Sequence, residues 1–267
     1  MLEDIAVRVA VTVAAALVIY IGKTLWQNRR HLRLLVLLFT PWRRVRLSVA
    51  VLLRLDDEDC YVLFDSPTRP ATFGPPGGVV KYHESGRRKL DKLGFECEER
   101  SQEVMRCDLR GFVRAVKVPD FARWLYGGSG REPASDCMRR ELVEEVAEIG
   151  HPELAPSVAS INFTLVRRVV DGPMKVAGAP YRQVRFFEVY DLMLEKPEAL
   201  ELRAALLVLA RDPLEEHIIA VSRQGIALGR EGAHMVLPQS AFLIGDERFR
   251  EDIHPVRRPT TGQAETR

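Results

Sequence analysis

The 267-residue chain is poor in cysteine: Cys60, Cys97, Cys107 and Cys137 are its four thiols. No two form a CxxC pair or a zinc-like spacing. That excludes a disulfide scaffold and a cysteine-based zinc site, and it points to reduced thiols in a reducing compartment. Net charge is lacking too. Thirty-nine Lys and Arg against thirty-seven Asp and Glu leave +2, which excludes a general nucleic-acid coat, so no direct DNA or RNA binding is expected. The chain has no internal repeat and no low-complexity tract. With 46% hydrophobic and 28% charged residues, its composition excludes wholesale disorder. At about 150 residues per domain, this length holds one large domain or two small ones.

The sharpest absence is of acid near the start. After Glu3 and Asp4 none occurs until Asp56, whereas Arg8, Lys23, Arg29, Arg30, Arg33, Arg43, Arg44, Arg46 and Arg54 all fall in the gap. Within it, residues 9–22 (VAVTVAAALVIYIG) carry no charge. A spanning helix takes roughly 20 apolar residues. Counted from Ile5 to Trp26 the segment is long enough, with Arg8 and Lys23 placed to snorkel and Trp26 suited to the interface. Glu3 and Asp4 argue against a cleaved signal peptide, whose start is basic. Apolar character all round argues against an amphipathic core helix. Because the basic cluster lies behind the run, the expectation is a single-pass inner-membrane anchor with the C-terminal bulk in the cytoplasm. Residues 31–42 (HLRLLVLLFTPW), broken by Arg33 and Pro41, form a second apolar patch too short to span alone.

Beyond Arg43 the pattern turns to strands. Residues 46–55 and 60–65 are β-rich runs, and the four acids Asp56, Asp57, Glu58 and Asp59 between them read as a hairpin turn. Residues 73–80 (FGPPGGVV) read as a loop entering a short strand, where Gly77 and Gly78 permit close backbone approach or positive φ. The mixed segment from about 84 to 131 is expected to be an inserted hairpin or short helices. Ser135 or Asp136 then caps a helix running to about Ile149, whose buried stripe is Met138, Leu142, Val146 and Ile149. Residues 161–170 and 181–192 are strands joined as a hairpin by a Gly- and Pro-containing linker. A helix follows Pro197, short strands lie near 217–221, and the tail from Pro255 reads as disordered.

The chemistry sits on the helix that ends near Ile149. Glu141, Glu145 and Glu148 lie on neighbouring turns of one face, with Glu144 beside them. Clustered carboxylates repel one another unless a cation neutralises them, and hard oxygen donors of this kind suit Mg²⁺ or Mn²⁺ bridging to phosphates. A solvated acidic face is the competing reading. In residues 181–187 (YRQVRFF), alternation places Tyr181, Gln183, Arg185 and Phe187 on one side of the strand. That side offers a cationic fork among aromatics to a phosphate-bearing ligand, set against the plainer reading of core aromatics and a solvated arginine.

Residues 132–146 (EPASDCMRRELVEEV) match E-x7-R-E-U-x-E-E-x, most of the Nudix box G-x5-E-x7-R-E-U-x-E-E-x-G-U, where U is bulky and apolar. Tyr126 stands where the glycine of that box would fall, while Gly78 and Glu84 separately fit G-x5-E. Ala147 and Glu148 replace the closing Gly and U. The chain therefore resembles the Nudix superfamily over roughly residues 46–195, with its box split by an insertion. Preceded by a membrane helix, it resembles more narrowly the SMODS-associated Nudix family, the transmembrane Nudix effectors of CBASS anti-phage systems.

The resemblance implies an α/β fold, a Nudix-like α/β/α sandwich with a mixed sheet, preceded by an N-terminal transmembrane helix. Residues 1–45 would be the anchor (span 5–26), 46–254 the Nudix-like domain with an insertion at about 85–131, and 255–267 a disordered tail. Glu141, Glu144 and Glu145 would hold Mg²⁺ or Mn²⁺. Glu132 and Arg140 would be structural box residues, Arg140 orienting a carboxylate. Gly77, Gly78, Arg185 and Tyr181 would bind ligand. The implied partners are a cyclic oligonucleotide or another nucleotide, the lipid bilayer of a bacterial inner membrane, and further copies of the chain in a homo-oligomer. Two functions compete: a sensor that triggers membrane disruption, and a Mg-dependent hydrolase cleaving a nucleoside diphosphate-X pyrophosphate bond. A membrane-tethered binding scaffold is a third. Whether the chain is an enzyme stays open, as does the catalytic base, for which Glu188, Glu215 and Glu216 compete.

Overall fold

A computed structural model describes residues 34, 36–66, 69, 71–98 and 107–251. The span expected at 5–26 and the tail from 255 lie outside them. Among the described residues no helix is long and apolar enough to cross a membrane.

Alternation builds β1 (Arg44–Arg54), where Val45, Leu47, Val49, Val51 and Leu53 are all buried on one side and Leu52 is buried on the other. It is the centre of a five-stranded mixed sheet ordered β5 (Glu96–Cys97), β6 (Arg110–Arg114), β1, β8 (Arg182–Leu192), β7 (Phe163–Lys175). Strand β1 runs antiparallel to β6 and parallel to β8, which sets Leu47 beside Val184 and Val49 beside Phe186. β7 and β8 form the expected hairpin, and its register shifts between Asp171 and Met174, where Gly172 and Pro173 interrupt the ladder.

The second sheet is also mixed. Its order is β10 (Arg230–Glu231), β11 (His234–Val236), β4 (Thr72–Gly74), β3 (Cys60–Asp65), β2 (Asp56–Asp57), with β9 (Ile218–Ser222) on β3. The run of four acids is only half a turn: Asp56 and Asp57 pair with Tyr61 and Cys60, leaving Glu58 and Asp59 to reverse the chain.

Helices α1 (Glu84–Leu93) and α2 (Val118–Gly127) flank β5 and β6 in sequence. The segment 85–131 thus carries both short helices and a hairpin, and that hairpin extends the first sheet from the edge of β1. Helix α3 (Ala134–Glu148) carries the glutamates, followed by α4 (Ala155–Ser160), α5 (Pro197–Arg211), α6 (Arg223–Leu228) and α7 (Ala241–Ile244). Neither Ser135 nor Asp136 caps α3. The N-cap position is Pro133, with no side-chain cap bond. Its carbonyl accepts from the Asp136 and Cys137 N–H groups, and its ring holds φ ready for the first turn. Asp136 instead pairs with Arg139 at 3.1 Å.

Two cores result. In the first, the α3 stripe Met138, Leu142 and Val146 packs with the buried side of β1, with Val184 and Phe186, and with Leu202 and Leu206 of α5. The second lies between the sheets and joins Leu52, Phe187 and Val189 to Leu63, Phe73, Val221 and Phe242. Each such side chain contributes roughly 1.5–3 kcal/mol by leaving water. The apolar patch at 31–42 is divided: Leu34 and Leu37 are buried in the first core, whereas Phe39 and Trp42 are exposed.

Candidate functional site

The site begins at the edge of β1 that β6 leaves open. Residues 76–80 run along it. Val51 N–H donates to the Gly78 carbonyl at 2.9 Å, Leu53 N–H to the Pro76 carbonyl at 2.7 Å, and Val80 N–H to the Val49 carbonyl at 3.1 Å. Gly77 takes φ +141°, and a Cβ there would strike the Val51 carbonyl oxygen. A Cβ on Gly78 would strike the carboxylate of Glu141. The first glycine is thus demanded by backbone conformation and the second by the helix above it. Gly77 N–H donates to Glu145 Oε2 at 2.9 Å, which ties the loop to α3 from the other side.

Arg140 is the hub. Its Nε and Nη2 reach the two oxygens of Glu132, each at 3.1 Å. Nη2 also donates to the Val79 carbonyl at 3.2 Å, and Nη1 to Glu141 Oε1 at 2.5 Å. A planar fork on a carboxylate is the strong form of this contact. Glu132 is further fixed by Lys81, whose N–H donates to Oε2 at 3.1 Å and whose carbonyl accepts the Glu132 N–H at 2.8 Å. Glu84, the alternative glutamate of the split box, is exposed, with Arg87 4.0 Å away.

The charges sort by partner. Burial pushes the Glu132 carboxyl up, but the Arg140 fork and the Lys81 N–H outweigh it and hold it low. Burial raises Glu141 against the pull of Arg140, and Glu144 and Asp108 add to the rise. Glu145 stands well above the usual carboxylate range through burial, with Glu141, Glu148 and Glu144 adding repulsion against the Gly77 N–H. Burial also raises the Cys137 thiol beneath Arg140, which makes it an inert core thiol and not a nucleophile.

A split box closed in space by Lys81 and Glu132, with its arginine and glutamates on one glycine loop, agrees with a family model described as the SMODS-associated NUDIX domain, which matches residues 44–244. The chain belongs to this family. No curated protein and no solved structure matches it. The matched span opens on the first residue of β1 and closes on the last of α7.

Nudix domains generally use divalent metals, and the donor chemistry here suits one: hard oxygens whose ionisation is opposed by burial and then by neighbouring carboxylates, which a cation would relieve. The arrangement is not preassembled. Among the described residues no group of three or more His, Cys, Asp or Glu side chains is set to hold a metal ion. Glu141 is engaged by Arg140 and Glu145 by Gly77, while Glu144 is exposed, 3.9 Å from Arg140.

Arg185 lies on the opposite face of the SMODS-associated Nudix sheet. Its neighbours Val184 and Phe186 enter the core beneath α3, so alternation turns Arg185 away. In register it sits between Ser48 and Asp171. Arg248 forks onto Asp171, with Nε 2.8 Å from Oδ1. Arg46 pairs with Glu98 at 2.7 Å and reaches the Gln183 amide at 3.3 Å. Burial lowers the Arg185 guanidinium to about 9; Arg248, Arg46 and Arg69 add to this, and Asp171 opposes it. Tyr181 is half-buried, edge-on to Phe112 with ring centroids 5.1 Å apart. Phe187 is buried against Phe242 at 5.0 Å and offers no open ring.

The structure therefore brings Gly77, Gly78, Glu132, Arg140, Glu141 and Glu145 together and sets Tyr181 and Arg185 apart from them. Sequence reasoning missed Asp171, Arg46 and Arg248, which come from three distant segments with no shared spacing to announce them. Glu188 is buried, accepts from Arg168 Nε at 2.9 Å and from Tyr190 Oη at 3.1 Å, and lies 3.7 Å from Arg131. Glu215 pairs with His151 at 3.1 Å.

Proposed function

We propose that this SMODS-associated Nudix chain is a membrane-anchored effector of CBASS-type antiviral defence. Its cytoplasmic domain senses a cyclic oligonucleotide, and its N-terminal segment, gathered in a homo-oligomer, then disrupts the bacterial inner membrane. Family membership supports the setting. The uncharged run at 9–22 with the basic cluster behind it supports the anchor. The observation that carries the sensor reading is the clamp: Arg140 holds Glu141 Oε1 and the Gly77 N–H holds Glu145 Oε2, so the box couples α3 to the glycine loop. On this reading Arg185 holds ligand phosphate, Tyr181 borders the ligand, and Gly77 and Gly78 form the loop whose clamp the ligand alters. Mg²⁺ or Mn²⁺ would be held by Glu141, Glu144 and Glu145, across the sheet from Arg185, and would act on the ligand through the clamped glycine loop.

The second reading is Mg-dependent cleavage of a nucleoside diphosphate-X bond, favoured by the retained box arginine and glutamates. The two are separated by titrating the chain calorimetrically with cyclic di- and trinucleotides, beside incubation with Mg²⁺ and nucleoside diphosphate-X compounds. Binding without turnover, coupled to dye release from vesicles carrying the full chain, is expected. Turnover without cyclic-nucleotide binding overturns the sensor reading.

A further inference from the structure

Two aromatic side chains stand in solvent where the chain enters the domain. Phe39 is 83% exposed and Trp42 72%. Val116 lies beside them at 41%, its N–H donating to the Pro41 carbonyl at 3.3 Å. The neighbouring backbone bond, Ala115 N–H to the Arg43 carbonyl at 2.8 Å, locks the two segments into one surface. Cations rim it. Arg43 and Arg114 are exposed, and Arg44, Lys92, Arg114 and Lys117 line the groove that Trp42 borders, where Asp91 and Glu96 are the acids.

We propose that this face is the surface on which the domain rests against an anionic lipid bilayer. The inference rests on the anchor reading above and adds to it the orientation of the domain. An exposed aromatic pair ringed by Arg and Lys has the chemistry of the headgroup layer, where amphipathic rings sit at the interface and cations meet anionic lipid. Chain geometry points the same way. Leu34 and Leu37, each 1% exposed, fasten the segment to the first core. Only eight steps separate Trp26 from Leu34, so a bilayer that ends near Trp26 lies within about 30 Å of the anchored residue. Arg29, Arg30 and Arg33 fall in that same short leash. A second copy of the chain is the competing occupant.

The test uses the full chain carrying Trp26→Phe in vesicles of anionic and zwitterionic lipid with brominated acyl chains. Trp42 and the buried Trp124 then remain as emitters. Bromolipid is expected to quench part of the emission. That quenching should vanish when Trp42→Phe is added, and it should fall in Arg43→Glu/Arg114→Glu, with Trp124 emission reporting an intact fold. Flotation with the vesicles but no quenching of Trp42 overturns this proposal and leaves the anchor standing. Shielding of Trp42 that tracks cross-linked dimers and not bromolipid overturns it in favour of a second copy. Failure to float at all removes the anchor and this orientation together.

Discussion

The two faces of the β1–β8 pair carry opposite charge. On the α3 side Glu132, Glu141 and Glu144 gather round Arg140 with Glu145 beside them, and burial with mutual repulsion raises Glu141 and Glu145. On the face toward the second sheet, Arg46, Arg185 and Arg248 surround Asp171 and Gln183, and Arg185 is lowered to about 9. Burial and like-charge neighbours push the majority charge of both regions toward neutrality. A single strand thickness separates them, because successive side chains of a strand point to opposite sides. The two differ in closure. The glutamate face is clamped through a backbone loop, whereas the arginine face is held by side chains from separate segments.

The largest effect should come from removing the hub. Arg140→Ala strands Glu132 and Glu141 without their cation, and a broken pair of this kind costs roughly 3–5 kcal/mol, read by urea denaturation. Arg140→Lys should recover only part, since a point charge cannot fork. Next is Asp171→Ala, which leaves Arg248 and Arg185 facing each other and costs roughly 3 kcal/mol. Adding Arg185→Met to it should recover part of that loss. Strict additivity would show that the arginine face is not one electrostatic unit.

A smaller effect is functional. Arg185→Ala should weaken cyclic-oligonucleotide binding at least tenfold, about 1.4 kcal/mol, in a folded domain; unchanged affinity rules Arg185 out. On the other face, Glu144→Gln with Glu145→Gln should lower Mg²⁺ and Mn²⁺ affinity in a calorimetric titration. The same change should raise the melting temperature near neutral pH. A carboxyl whose folded pKa is raised stabilises fully only below its unfolded pKa of about 4.3, and that contribution is lost as pH rises through the folded value. Gln keeps the acceptor for Gly77 N–H without the charge. The smallest effect concerns His151, raised by its hydrogen bonds to Glu215 and Glu153. Its stabilisation is complete below about pH 6.5 and disappears as pH rises through the folded pKa. His151→Gln should therefore lower the melting temperature in mild acid but not in alkali. Solvent screening keeps this below about 1 kcal/mol.

Much of the fold was legible because it is locally periodic. The β-rich runs that are β1 and β3, the β7–β8 hairpin marked by its Gly- and Pro-containing linker, and the helically spaced apolar stripe of α3 are all local features. The start of α3 was misread because two capping residues follow Pro133, and a proline carbonyl with φ preset needs no side-chain cap. Within the site, the glutamate spacing and the room left by two glycines were readable, and so was the parity that separates Arg185 from Val184. The partners of Arg185 were not.

The sequence by itself determined which residues share a strand face or a helix face, since those periods of two and 3.6 are properties of the backbone. It also pointed to the Nudix superfamily, through E-x7-R-E-U-x-E-E. Tertiary structure decided how the split box closes. Glu132 and Lys81 are 51 residues apart, yet reciprocal backbone and carboxylate bonds join them, and the bridge of Tyr82 to Arg131 continues that pairing. It likewise decided that Leu34 and Leu37 are core while Phe39 and Trp42 face outward. Nothing in a short apolar run distinguishes those four. Their fates depend on which distant side chains close over them, and burial is set by packing across the whole chain, not by local pattern.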